Sequence, residues 1–389
     1  MPVAVVNPKG AQRLRKFQTW CYRNELVEPP ETTTAGAIVR VVDGQRNPIG
    51  QAFYAQRSPV ALRLLTRKGP EDERVDEAFF VARLKAALAR RASLAPRDAF
   101  RMVHGESDRL PGLFIDRYGA GLTLQTLSEG MDARKEMLAR EAAKLLGATH
   151  VMCRDAASGR DFEGLPRETR MLLGEGSARF AFHEGANLFE VDLLGDMKTG
   201  SFLDQLDNHV RAGELGHGQA LDCFSYHGGF ALALATRCTQ VTAVEQDETA
   251  AARIGENAER NGRHNITVVH GNVFDVLSEA DRSGRKFDTI VIDPPGFTKR
   301  HEGMKSAYRA YFELNLRALR CLNPEGILVT CSCSGKIDLA EFEAMVTGAA
   351  EDAKRSVQLL ERRGAGVDHP VTLGLPESEY LKALFLRVL

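Results

Sequence analysis

From about residue 219 onward the sequence alternates between two patterns, and this alternation constrains the fold more than any other feature. Short apolar, β-branched runs occur at Ala220–Phe224, Gln240–Val244, Ile266–Val269, Phe287–Ile292 and Gly326–Ser332. Between them lie stretches with helical spacing, at Phe230–Thr236, Glu248–Asn261, Val273–Asp281 and Lys305–Leu322. Strand–helix alternation of this kind predicts a doubly wound parallel sheet covered by helices. Two further strand-like runs, Val357–Glu361 and Tyr380–Val388, follow with no helix read between them. They predict an antiparallel pair at the sheet edge.

A chain of 389 residues is too long for a single ordinary core, so further domains must precede this sheet. Residues 1–70 are rich in short strand patterns such as Gly36–Val42 and Val60–Leu65, broken by Asp43-Gly44 and Asn47-Pro48. They predict a small β-barrel. Residues 71–97 predict a connecting helix, with Arg90 and Arg91 in its last turns, where cations suit the helix dipole. Residues 98–195 predict a small α/β domain. It has strands at Leu113–Asp116 and Leu122–Thr126 and a helix over Asp132–Leu146, capped by Asp132 and ended by Gly147. The parallel sheet occupies residues 196–389.

Net charge is −1 over the chain but uneven. Residues 1–68 carry eleven Lys or Arg against four Asp or Glu, a net +7, and the remainder carries −8. A basic module on a slightly acidic one suits a nucleic-acid-binding domain attached to an enzyme, although a basic surface is also an ordinary solvated face. The seven cysteines include no CxxC pair, which argues against a zinc site or a disulfide framework. No apolar run reaches the length of a membrane span, and the N-terminus lacks the features of a secretory signal. A cytoplasmic location is expected.

In open α/β sheets ligands bind beyond the carboxyl ends of the strands. After the first strand come Asp222, Phe224, Ser225, Gly228 and Gly229 in the run Asp222-Cys223-Phe224-Ser225-Tyr226-His227-Gly228-Gly229-Phe230. Its spacing is not GxGxxG, which disfavours a pyrophosphate loop, while paired glycines permit close backbone approach to a ligand. After the second strand comes Glu245, whose carboxylate suits the two hydroxyls of a ribose. After the third comes Asn272, placed to meet an adenine edge; either residue also has the alternative role of a helix cap. Phe202, Asp204 and Gln205 lie in a polar segment upstream, Lys198–Asn208, which reads as a lid or as a linker.

The fourth strand ends in Asp293-Pro294-Pro295-Gly296-Phe297. Two prolines stiffen the turn and remove donors. Asp-Pro-Pro with a following aromatic, at this strand end, marks methyltransferases that act on amino groups or nucleobases, and Phe297 suits stacking on a base. The fifth strand ends in Thr330-Cys331-Ser332-Cys333-Ser334-Gly335. A cysteine here suits covalent catalysis on a pyrimidine, although small buried cysteines are common core residues.

With these motifs the chain resembles the bacterial 23S rRNA large-subunit methyltransferase I family. The carriers are Glu106–Gly112, Ile115–Arg117, Lys198–Gly200 with Leu203–Gln205, and Cys223–Tyr226 with Gly228–Phe230. Asp293–Pro295, Ser332–Gly335, Asp368–Pro370 and Tyr380–Lys382 complete them. The resemblance implies an N-terminal PUA domain, a middle α/β domain and a class I Rossmann-like methyltransferase domain. It also implies S-adenosylmethionine as cofactor, 23S rRNA or its precursor as partner, and a homodimer. It implies 5-methylcytosine as product, Cys333 as the nucleophile and Asp293 as a second catalytic group, with Pro294, Pro295 and Phe297 near the base. In the family it resembles, a glycine opens the fifth strand and the nucleophile follows seven residues later, which from Gly326 implies Cys333 rather than Cys331. Departures include Lys16-Phe17-Gln18-Thr19-Trp20, where the family has Gly-His-Pro-Trp, and His227 for Thr, Asn272 for Asp and Gly296 for Lys. Two alternatives stay open: a guanine methyltransferase without covalent catalysis, and a non-catalytic RNA-binding factor of the same fold.

Overall fold

The structure, a computed structural model, describes residues 1–389 except 17, 33, 198 and 298–303. It forms two compact units that are not contiguous in sequence. The first comprises residues 1–182, 190–202 and 367–375, and the second comprises 183–189, 203–366 and 376–389.

The first unit opens with a six-stranded sheet. Its strands are β1 (Val3–Val6), β2 (Trp20–Tyr22), β3 (Leu26–Glu28), β4 (Ile38–Asp43), β5 (Pro48–Tyr54) and β6 (Val60–Thr66), in the order β2-β6-β5-β4-β1-β3. A short helix, α1 (Pro8–Arg15), is capped by Asn7, whose side chain accepts from the Gly10 amide. The connecting helix is α2 (Glu77–Ala89), capped by Asp76. Its following arginines do more than offset a dipole: Arg90 and the buried Arg91 both bind the buried Asp108 carboxylate.

A five-stranded sheet follows, of β7 (Ala99–His104), β8 (Leu113–Tyr118), β9 (Gly121–Thr126), β10 (His150–Asp155) and β11 (Glu168–Leu173), in the order β11-β10-β9-β8-β7. Between β9 and β10 a single turn, α3 (Glu129–Asp132), precedes α4 (Lys135–Leu146). Asp132 is not the expected cap of α4. Ser128 caps the turn before it, and Asp132 instead pairs with Lys135 and the fully buried Arg160. Gly147 does end α4, in the left-handed region. A hairpin follows, β12 (Arg179–Glu184) with β13 (Asn187–Asp192), of which residues 183–189 belong to the second unit.

Residues 1–68 are not a detachable arm. Phe53 and Leu65 belong to the same apolar cluster as Phe80, Leu84, Leu113 and Leu138. A Cβ on Gly130 would lie 2.2 Å from the Phe53 ring.

The second unit is the alternating half. Its sheet contains β14 (Gln219–Cys223), β15 (Gln240–Glu245), β16 (Ile266–His270), β17 (Phe287–Ile292) and β18 (Leu322–Ser332), all parallel to their neighbours in this set. Two antiparallel strands extend it, β19 (Val357–Arg363) and β20 (Lys382–Val388), giving the order β16-β15-β14-β17-β18-β20-β19. The chain order reverses beside β14, so the carboxyl ends of β14, β15 and β17 face the crevice where such sheets bind ligands. The helices are α5 (Leu206–Leu215), α6 (Gly229–Leu234), α7 (Glu248–Arg260), α8 (Val273–Ser283), α9 (Met304–Cys321) and α10 (Leu339–Asp352). Helix α10 has no counterpart in the sequence reading. One apolar cluster, around Ile290, Leu314, Leu328 and Phe342, joins the sheet to α8, α9 and α10; another, around Ala220, Phe230, Val241 and Phe385, joins it to α6 and α7. Among the described residues no helix is long and apolar enough to cross a membrane.

Candidate active site

The loop after β14 holds strained backbone. Phe224 and Tyr226 have φ of 66° and 50°, a region L-residues rarely adopt, and Gly228 has φ of 89°. Among the contacts that fix it, Ser225 N donates to Val244 O, Gly228 N to Ser225 O, and Tyr226 N to a Glu245 carboxylate oxygen at 2.8 Å. The second Glu245 oxygen accepts from the amides of Gln246 and Asp247. Glu245 therefore ties the ends of β14 and β15 together; its Oε1 is filled by two amides, and Oε2, which accepts one, retains a lone pair for a hydroxyl.

The two glycines have separate reasons. Gly228 needs its left-handed φ. Gly229 is forced by a neighbour, since a Cβ there would lie 2.3 Å from Cε1 of His209. His209 projects from α5 under the loop, packs edge-on against Phe230 at 4.4 Å and meets Glu184 through Nδ1 at 2.8 Å. Burial opposes its charge, but Glu184, with Asp293 and Asp222 adding to it, outweighs burial and raises its pKa. Tyr226 and His227 stack at 3.7 Å, and burial, with Arg253 nearby, pushes His227 down to about 3.

Asp222 is fully buried at the end of β14, and among the described residues neither carboxylate oxygen has a well-formed hydrogen bond. Burial, opposed by Ser225 and His209 and reinforced by Asp293, raises its pKa to about 7. Asn272 caps α8, its side-chain oxygen accepting from the Phe274 amide at 2.8 Å, which leaves its amide N–H groups for a ligand. Asp204 and Gln205 form a buried turn, where Asp204 accepts from the Tyr380 hydroxyl at 2.7 Å. Phe202 belongs to the first unit rather than to this one, and Lys198 lies outside the described residues.

The turn after β17 brings Asp293 next to the end of β14, its amide 3.4 Å from the Cys223 carbonyl. Pro294 is buried and Pro295 exposed. Phe297 is half-buried, with its ring edge-on to Tyr311 at 5.0 Å, so part of its surface is already given to the core. The two cysteines of β18 differ sharply. Cys331 is fully buried in an apolar cluster, and burial pushes its thiol well above the ordinary range, with Asp293 adding to the shift. Cys333 follows the last residue of β18 and is half-buried. A Cβ built on Gly296 would lie 3.6 Å from Cys333 Sγ, so the Asp-Pro-Pro turn and the strand-end cysteine adjoin.

Sequence reasoning missed three residues here. His209 and Glu184 lie 25 positions apart with no local signal of contact. Lys382 falls within the Tyr380-Leu381-Lys382 motif, which assigns it no role, and it is buried beside the end of β18.

In the first unit, the basic residues are partly committed internally. Arg63 pairs with Glu106 and Glu163, and Trp20 donates to the same Glu106. Lys9, Lys16 and Arg57 are exposed. Cys153, Asp155 and Glu168 have metal-ligand spacing, but Lys135 Nζ stands 2.5 Å from Asp155 and 2.6 Å from Glu168 and fills the place a cation would take.

The seven-stranded sheet with its antiparallel edge pair and the strand-end residues define a class I S-adenosylmethionine-dependent methyltransferase, preceded by a PUA-like domain. Family comparison gives a PUA-like domain at residues 4–67 and Conserved hypothetical protein 95 at residues 200–347. A proposed SAM-dependent methyltransferase from Streptococcus mutans shares the fold at a TM-score of 0.82 and 19% identity, over 100% of both chains. Ribosomal RNA large subunit methyltransferase I of Photobacterium profundum is 36% identical over 98% of this chain and 98% of its own length. The same-named protein of Tolumonas auensis is 36% identical over 97% and 96%. The chain belongs to the ribosomal RNA large subunit methyltransferase I family.

Proposed function

We propose that this protein methylates C5 of a cytosine in large-subunit ribosomal RNA through a covalent adduct on Cys333. The carrying observation is the contrast between the two cysteines of β18. Cys331 is sealed in the core, whereas Cys333 is partly open and adjoins the Asp293–Gly296 turn. S-adenosylmethionine, when bound, supplies an electrophilic methyl group on a sulfonium. The residues present suit it: Glu245 for the ribose hydroxyls, Asn272 for the adenine edge, and Asp222, Phe224, Ser225, Gly228 and Gly229 for the rest. Asp204 and Gln205 stand at the opening of α5, with Phe202 preceding them.

Cytosine C5 is too poor a nucleophile to accept a methyl group unaided. In the proposed sequence, Cys333 sulfur forms a bond to C6 and the displaced electron pair makes C5 nucleophilic. Asp293 holds N3 and the exocyclic amino group and favours the N3-protonated adduct. C5 takes the methyl group and then loses its proton to a base, Asp293 or a water it holds. The electrons of that C–H bond restore the C5–C6 double bond as sulfur leaves with its own bonding pair. Pro294 and Pro295 keep the turn rigid, and the partly exposed edge of Phe297 borders the base. The exposed Lys9, Lys16 and Arg57 of the PUA-like domain would contact RNA phosphates, and the enzyme would work as a homodimer in the cytoplasm.

Bisulfite sequencing of ribosomal RNA from a deletion strain tests this reading. One cytosine should lose its protection and regain it on complementation with the wild-type gene. A deletion strain with every protected cytosine intact contradicts it.

A further inference from the structure

Lys382 is a lysine where a lysine is costly. It lies on β20, opposite Ser332 of β18 in the antiparallel ladder, and is 5% exposed. Its Nζ donates to the Ser334 carbonyl at 2.5 Å and the Tyr380 carbonyl at 2.9 Å. Ser332 and Ser334 are the two neighbours of Cys333, so the ammonium lies along the short segment that presents the sulfur. Two neutral carbonyls offset only part of the desolvation of a cation, and a buried charge normally has a counter-charge. Burial lowers the Lys382 pKa, and the first group opposing that fall is Cys333, ahead of Asp338, Glu379 and Glu341.

We propose that Lys382 is a positioning residue for Cys333: its ammonium fixes the strand-end segment through the Ser334 carbonyl and supplies the positive charge against which the Cys333 sulfur ionises. The proposal rests on the reading of Cys333 as the nucleophile. Among the described residues, ionisable groups on several surrounding elements bear on the pair. Asp293 after β17, Tyr311 on α9 and Cys331 on β18 have electrostatic contact with this corner, as do Asp338 and Glu341 at the start of α10 and Glu379 before β20. The carboxylates among them disfavour a thiolate. A cation held within the same corner opposes them, and thiolate rather than thiol is the attacking form.

The test is the pH profile of Cys333 alkylation by iodoacetamide in the full-length protein, read by peptide mass spectrometry. Lys382→Met should raise the midpoint by about one pH unit or more, the size of effect an adjacent opposite charge exerts. Lys382→Arg should restore it to within a few tenths of a unit of wild type. If Lys382→Met does not fold, Lys382→Gln keeps a donor for the carbonyls without the charge and should show the same rise. A midpoint unchanged in the uncharged variants, or shifted as far in Lys382→Arg, overturns the proposal. Alkylation needs no methyl transfer, so the two readings fail separately. Full methylation by Cys333→Ala would remove the nucleophile but leave the midpoint shift in place, whereas an unshifted midpoint would remove Lys382 alone.

Discussion

Gly229→Ala is a demanding perturbation of this site because one methyl group meets a fixed neighbour. The new Cβ would lie 2.3, 2.6 and 2.8 Å from three atoms of the His209 ring. Carbon contacts are favourable at about 3.5–4.0 Å, so the ring must retreat by roughly 1 Å. It has little room, being held by Glu184 at 2.8 Å and Phe230 at 4.4 Å. Overpacking a core costs about 1–3 kcal/mol, and disrupting a charge-assisted hydrogen bond costs about 1.5–3 kcal/mol more. A loss of roughly 3–5 kcal/mol is expected, with a fall in S-adenosylmethionine affinity as α6 and its loop shift. Hydrogen exchange of the β14 and α6 amides, with urea denaturation, reads the first effect, and calorimetry the second. Gly255→Ala in α7 is the control: its Cβ meets nothing within 4 Å, so it should stabilise by about 0.5–1 kcal/mol. A Gly229→Ala protein within about 0.5 kcal/mol of wild type would refute the packing argument.

Glu245→Ala removes the acceptor of three backbone amides and the carboxylate proposed to hold the ribose, and should weaken S-adenosylmethionine binding by about 1.5–3 kcal/mol; unchanged calorimetric affinity would take Glu245 out of the site. RNA affinity should fall with salt by about one logarithmic unit per phosphate contacted, and Lys9→Glu with Lys16→Glu should flatten that slope, whereas a salt-independent affinity contradicts the RNA role of this domain. His227 is held down to about 3 in the folded state, so below its ordinary value of 6.5 the unfolded chain binds a proton that the folded chain rejects. Stability is therefore lost as pH falls from 6.5 toward 3, by about 1.4 kcal/mol per pH unit, and His227→Thr should show a shallower acid limb in denaturation between pH 7 and 5.

The parallel sheet was legible because buried parallel strands are nearly continuous apolar runs, and the ligand-facing positions follow from where each strand stops. Glu245, Asp293 and Cys333 could be listed for that reason. Helix α10 was not read, although Asp338 and Glu341 form a capping box at its start. Asn272 illustrates a residue type with two uses, and its oxygen is taken by the cap. Other features had no local signature. The segment 367–375 joins the first unit, where Asp368 accepts from the Arg101 amide, across 267 positions. The reason for Gly229 lies in a histidine 20 residues away, and the burial of Lys382 depends on β20 entering the sheet beside β18. Contacts of this kind are properties of packing, which periodicity does not encode.

Attack of Cys333 on the base is tested most directly by covalent trapping. With 5-fluorocytosine in the RNA substrate the C5 substituent cannot leave as a proton, so the adduct should persist. Peptide mass spectrometry of the trapped enzyme should find the RNA on Cys333, while Cys333→Ala should form no adduct and lose methylation without losing S-adenosylmethionine binding. An adduct on Cys331, or full methylation by Cys333→Ala, would contradict the account.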